Sequence, residues 1–266
     1  MYEEFYGFTA TPFSRGLPAC SLYRDGDRDE IVDRLKYAAK NELFVILYGE
    51  SGTGKTTILR ILNEEVTKDG YTVLYISDSK LTPRHIYKSM LEQLGFSARY
   101  FRGDAKRQLH KEIEIMKAVH NVKLAVICDE AHLMNREMLE EVRFLLNTNM
   151  DSQSPMSLIL SGQLELRENL RLQAYAAIRQ RVDIQCQVGK LDMSQVIGYV
   201  KTHLTYAGCT KDIFTDGAIE EAFKFSSGIP RLINKACVAS LMYGAQNRKA
   251  LIDDRMVKFV IESELV

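Results

Sequence analysis

Five short apolar runs punctuate the first two-thirds of the chain, at residues 43–48, 71–76, 124–128, 156–160 and, less regularly, 182–188. The first four are continuous rather than alternating, the pattern of strands covered on both faces of a parallel sheet. Between them, apolar positions recur at helical spacing over residues 56–68, 83–94, 107–120 and 136–147. After Gly189 the runs stop. Residues 192–206, 216–226, 230–247 and 253–264 read as helices, each opening on Asp or on Pro at the first helical position. The pattern predicts an α/β domain with a central parallel five-stranded sheet over residues 31–188, then a small all-helical domain over 189–266. Residues 1–30, broken by Pro12, Gly16 and Pro18, read as an arm or loop outside the core.

The turn after the first run carries chemistry. Gly49-Glu50-Ser51-Gly52-Thr53-Gly54-Lys55-Thr56 matches G-x-x-x-x-G-K-[ST], with an apolar strand before it and an amphipathic helix, beginning Thr56-Thr57, after it. Glycines let the backbone curl so that its N–H groups face phosphate oxygens, and the helix N-terminus adds partial positive charge. Lys55 would neutralise the β- and γ-phosphates of ATP, and the Thr56 hydroxyl would ligate Mg²⁺. A chance Gly/Ser-rich turn would not come with both flanking elements in place.

A second acid must complete the metal shell, and a base must position the attacking water. The run at 124–128 ends in Asp129-Glu130, which offers both at the carboxyl end of a strand. The pair also suits the start of a short helix, so capping competes for Glu130. Gln163 and Ser161, at the end of the fourth run, compete for a γ-phosphate contact with a plain strand-end turn at Gly162. Arg179 and Arg181 precede the fifth run, and Arg231 opens a helix in Gly228-Ile229-Pro230-Arg231. Each could serve a developing phosphate charge or be a solvated surface residue.

Charge and cysteine content narrow the class. Lys plus Arg and Asp plus Glu both total 35, so the net charge is zero, which excludes binding nucleic acid by bulk charge. Five scattered cysteines without a C-x-x-C pair read as reduced thiols in a cytoplasmic protein. The acidic, aromatic start does not read as an export signal, and no apolar run has the length of a membrane span, so no membrane partner is expected.

This set resembles the AAA+ ATPases. It is most similar to the ExeA/GspA-like group, which shares its architecture with transposon target-selection ATPases of the TnsC and MuB type. The carrying residues are Tyr6-Gly7-Phe8 with Pro12-Phe13-Ser14, the loop at Gly49 to Thr56, Asp129-Glu130-Ala131-His132, Ser161-Gly162-Gln163, Arg179-Gln180-Arg181 and Gly228 to Arg231. The resemblance implies a three-layer P-loop domain followed by a helical lid. It implies a nucleotide held between the two and hydrolysed at a subunit interface. On this likeness Glu130 is the catalytic acid, Gln163 or Ser161 is sensor 1, Arg231 is sensor 2, and Arg179 or Arg181 is the arginine finger. Secretion-type relatives continue past the lid into a membrane span. A chain stopping at Val266 is therefore expected in the transposition branch.

Members of that branch polymerise on duplex DNA as rings or helical filaments and recruit a transposase or integrase-like recombinase. For DNA the sequence offers the window from Asp78 to Lys123, which holds ten basic and five acidic residues. Lys80 and Arg84 lie near its start, and Arg99, Arg102 and Lys106 flank Tyr100-Phe101. Such a cluster would grip phosphates without reading sequence. The alternatives are a motor for secretion or envelope assembly, and a nucleotide-gated signalling switch whose basic window is only a solvated face.

Overall fold

A computed structural model describes residues 2–77, 82–146 and 154–265. Five strands form one all-parallel sheet in the order β2-β3-β4-β1-β5: β1 (Phe44–Tyr48), β2 (Tyr71–Ile76), β3 (Lys123–Cys128), β4 (Ser157–Gly162) and β5 (Ile184–Gln187). Every residue of β1 and β4 is buried, as the continuous apolar runs require of strands at the centre of the sheet. The predicted edge run at 182–188 shortens to four residues, because β5 has a neighbour on one side only.

Contacts divide the chain into two compact units. The α/β unit comprises residues 27–50 and 58–188. Phe44, Ile46, Tyr48, Val126, Leu158 and Leu160 lie on one face of its sheet, in a core with α4 (Pro83–Gln93), α5 (Arg102–His120), α6 (Arg136–Leu145), α7 (Leu164–Arg171) and α8 (Ala176–Arg179). The alternate residues Val45, Leu47, Ile127 and Ile159 are buried on the opposite face. In the same unit α2 (Gly26–Lys40) buries the stripe Val32-Leu35-Ala39, and α3 (Lys55–Lys68) buries Ile58-Leu62-Val66.

A polar knot ties three of these helices together. Glu141 of α6 is 6% exposed and accepts from Tyr87 of α4 and from Arg102 and Lys106 of α5; Arg102 also reaches Glu137 at 2.9 Å. Burial alone would raise the Glu141 carboxyl. The hydrogen bonds from Lys106, Tyr87 and Arg102 outweigh it and hold the group at about 2.

The helical unit comprises residues 2–26, 51–57 and 189–265. α9 (Met193–Tyr206) starts with a capping box between Asp192 and Gln195; α10 (Asp216–Ser226) is capped by Thr215 and α12 (Asp254–Val260) by Asp253. α11 (Pro230–Gln246) carries Pro at its first turn. The last predicted helix is divided, because α12 gives way to a π-turn over Ile261–Leu265.

The N-terminal segment differs from its reading as an arm outside the core. It forms a short helix, α1 (Tyr2–Tyr6), and buries Tyr2, Phe13 and Leu17. The Phe13 ring stacks on His203 of α9 at 4.9 Å, and the Phe13 N–H donates to His203 Nδ1 at 3.1 Å. α2 likewise begins at Gly26, ahead of the boundary expected at Ile31. Aromatic anchors spaced by Pro and Gly follow no helical or strand period, so pattern alone reads them as loop.

Candidate nucleotide site

The phosphate loop leaves β1 and enters α3, as its motif requires. Gly52 and Gly54 adopt φ of +85° and +101°, where L side chains are strained. Within the helical unit, a Cβ on Gly52 would lie 2.9 Å from Arg231 Cβ, so glycine is needed there twice over. The Arg231 N–H donates to Gly52 O at 3.3 Å, and Arg231 Nη1 donates to Ser51 Oγ at 3.2 Å. The arginine expected near the nucleotide thus rests against the loop itself. Thr53 and Lys55 are buried.

The acidic pair sits at the carboxyl edge of the sheet in the α/β unit. Asp129 N–H continues the ladder by donating to Ile76 O at 2.8 Å. Its carboxylate is 3% exposed and is held from two sides. Oδ1 accepts from Glu130 N–H at 2.9 Å, and Oδ2 accepts from the Tyr75 hydroxyl at 2.9 Å. Burial, and then the neighbouring Asp129 charge, push the Tyr75 phenol well above its ordinary value, so it remains a donor. The Tyr75 backbone is in turn pinned by Gln93, whose side chain bonds both its N–H and its C=O. This pairing also closes the free edge of β2 at that point. Sequence reasoning missed Tyr75, which is one of two phenols in the run Tyr71–Ile76 and carries no local signal of its own.

Glu130, by contrast with the buried Asp129, keeps its side chain 47% exposed. Its φ of 52° is left-handed, a conformation that costs a non-glycine residue on the order of 1 kcal/mol. Strain of this kind gathers at functional positions. His132 Nδ1 lies 3.7 Å from Glu130 Oε2 and makes no hydrogen bond among the described residues.

Gly162 allows the end of β4 to approach this turn, since a Cβ there would be 3.0 Å from the His132 nitrogen. Ser161 is fully buried, and its Oγ has no hydrogen-bond partner among the described residues. Gln163 is the N-cap residue of α7, but its side chain makes no capping bond. Both sensor candidates therefore sit at the same sheet edge with unused donors.

The arginine-finger candidates differ. Arg179 Nη1 donates to Leu170 O at 3.0 Å and Arg171 O at 2.6 Å, closing the C-terminus of α7. Arg181 is half-buried in the turn before β5.

The basic window is largely neutralised by its surroundings. Arg102 and Lys106 are committed to Glu141, Arg107 pairs with Asp104 at 2.6 Å, Lys88 with Glu92 at 3.6 Å, and Lys117 with Glu42. Glu42, Glu137 and Glu141 lie outside the window, so counting charges within it overstated the surface charge. Arg84 stacks over Tyr100 at 4.5 Å, and Arg99 is exposed. Tyr100 and Phe101 are exposed by 73% and 69%. Lys80 lies outside the described residues.

Among the described residues no cluster of three or more His, Cys, Asp or Glu could hold a metal unaided. The oxygen donors Thr56 and Asp129 suit Mg²⁺, which binds through one or two protein oxygens plus substrate phosphates and water. No helix among the described residues is long and apolar enough to cross a membrane.

Comparison with known proteins bears on the family and the fold. The chain is 30% identical over 246 residues to general secretion pathway protein A of Aeromonas hydrophila, which covers 91% of this chain and 44% of that protein. The chain thus spans less than half the length of this relative. Its fold is similar to Cdc6p of Pyrobaculum aerophilum (TM-score 0.72, 17% identity, 94% of this chain and 69% of that one). It is also similar to the ORC2 protein of Aeropyrum pernix (TM-score 0.68, 15% identity, 94% and 71%). The RuvB Holliday junction branch migration motor of Thermotoga maritima gives a TM-score of 0.63 at 16% identity, over 90% and 69%. The AAA domain family matches residues 38–170, from α2 through β4 into α7, and with its phosphate loop and acidic strand end in place the chain belongs to that family of P-loop ATPases.

Proposed function

We propose that the chain is a Mg²⁺-dependent ATPase that cycles between an ATP-bound, self-associated state and a dissociated state after hydrolysis. The observation that carries this is the division of labour in the acidic pair. Asp129 is buried and oriented from two sides, whereas Glu130 is strained, exposed and free to turn toward a water.

In this reading the loop N–H groups and Lys55 bind the phosphates, and Thr56 and Asp129 hold the metal. Bound Mg²⁺ would neutralise charge on the β- and γ-phosphate oxygens. Glu130 orients the attacking water and accepts its proton, while Ser161 or Gln163 reports on the γ-phosphate. Arg231 follows the loop, and Arg181 or Arg179 serves a neighbouring subunit's nucleotide. The test is steady-state hydrolysis with nucleotide binding measured in parallel. Glu130→Gln should lower turnover roughly 100- to 10,000-fold and leave ATP bound. Lys55→Ala should lose binding itself. Unchanged turnover in Glu130→Gln would refute the assignment.

Two partner readings have a supporting observation each. The first is assembly on duplex DNA to regulate a transposase, supported by the exposed Tyr100-Phe101 pair with Arg84 and Arg99. The ion pairs of Arg102 and Lys106 leave these residues as its main contacts. The second is a role in a secretion pathway, supported by the 30% identity to general secretion pathway protein A. Plasmid DNA separates them. Stimulation of hydrolysis that falls steeply with salt, and is lost in Arg84→Glu with Arg99→Glu, favours the first. Indifference to DNA favours the second.

A further inference from the structure

A cavity of about 230 Å³ opens in the α/β unit on the α7 side of the sheet, lined by Ile46, Arg167, Leu170, Arg171, Arg179 and Gln185. Ile46 and Gln185 are paired residues of β1 and β5, so they form one floor. Three of the six lining residues are arginines, and none is a carboxylate. Guanidinium groups stay charged at every physiological pH, so such a cluster repels itself unless an anion joins it.

None of the three is in an ion pair among the described residues, although Glu168 lies one helical turn before Arg171. What holds them leaves donors unused. Arg179 is oriented by Nη1 alone, through the Leu170 and Arg171 carbonyls. Arg167 lies over the Tyr48 ring at 5.3 Å, and its side chain makes no hydrogen bond among the described residues. Arg171 is exposed and has no side-chain hydrogen bond among the described residues. Two of the forks are therefore set in place before any ligand arrives, which lowers the ordering cost of binding.

We infer that Arg167, Arg171 and Arg179 form an oxyanion site for a phosphate group, distinct from the phosphate loop. One bidentate arginine satisfies a carboxylate. A phosphate group, with up to two charges and three outward oxygens, can engage three forks. Ile46 and Leu170 add apolar surface beside these donors. The group could belong to a free ligand or to a nucleotide carried by a second copy of the chain. The site itself needs the cavity alone, whereas the second-copy source rests on the ATPase reading proposed above.

The probe is inorganic pyrophosphate, titrated calorimetrically in saturating MgADP so that the phosphate loop is filled. The wild-type chain should take up one pyrophosphate per chain. Arg167→Gln and Arg171→Gln should each weaken that step about tenfold or more, with unchanged ADP affinity and thermal midpoint. Replacing MgADP with a non-hydrolysable ATP analogue distinguishes the sources. Pyrophosphate binding that fades as chain concentration rises identifies a second copy's nucleotide, and binding indifferent to concentration identifies a free ligand. Absence of the pyrophosphate step, or a step of equal strength in both variants, would overturn the site.

Discussion

The two units are each pinned at a buried titratable group, and the two pins work in opposite ways. In the α/β unit Glu141 is charged and gathers three donors from two other helices. In the helical unit His203 is neutral and accepts one N–H from Phe13. Burial lowers the His203 imidazole to about 4. A charged pin surrounded by donors resists acid, whereas a neutral imidazole kept dry does not.

The signs follow from linkage. Glu141 is depressed from an ordinary value near 4.3, so its stabilisation is complete above that pH and is lost as pH falls toward about 2. His203 is depressed from an ordinary value near 6.5. Below that pH the unfolded chain binds a proton that the folded one refuses, and stability falls steadily down to about 4. As pH falls from about 6.5 toward 4 the helical unit and its N-terminal segment should loosen while the α/β unit holds.

The largest way to break this contrast is Glu141→Ala. It leaves Arg102, Lys106 and the Tyr87 hydroxyl facing an empty place and should cost about 3–5 kcal/mol in denaturant unfolding. Hydrogen exchange should rise across α4, α5 and α6 and stay unchanged in α9. Acidification from pH 7 to 4 comes next. It should remove on the order of 3 kcal/mol from the helical unit, seen as faster exchange at the Phe13 and Ala207 amides. Equal loss in both units would dissolve the contrast.

Smaller effects sharpen it at the site. Tyr75→Phe removes one donor to the Asp129 carboxylate and should cost about 1 kcal/mol. It should also raise the Mg²⁺ concentration needed for tight ATP binding several-fold, with metal-free nucleotide affinity unchanged. Glu130→Gly should do the reverse to stability, raising it by about 1 kcal/mol as the left-handed strain is relieved, while hydrolysis is lost. A stabilised, inactive variant would mark Glu130 as a residue kept for chemistry.

The central sheet was legible because its inner strands are apolar runs ending in recognisable turns, while the edge strand β5, with Gln185 and Gln187 in it, was read less regularly. The phosphate loop and Asp129-Glu130 were legible because fixed spacings along one strand–turn unit carry their chemistry. Tyr75 was not, because its meaning depends on β2 and β3 lying side by side in register. The basic window misled for the same reason. Its partners Glu42, Glu137 and Glu141 come from elements distant in sequence, so a local count could not see Arg102 and Lys106 being neutralised. Phe13 and His203 stand 190 residues apart, and no period links them.

By itself, then, the sequence determined the elements, the parallel layering and the residues able to meet a nucleotide, all of which follow from periodicity and local spacing. Only the tertiary structure decided which charges are free, which arginines share a cavity, what orients Asp129, and that the first residues belong to a core. Those outcomes depend on burial and on pairs brought together across the chain, where free energy is set by neighbours rather than by order along the sequence.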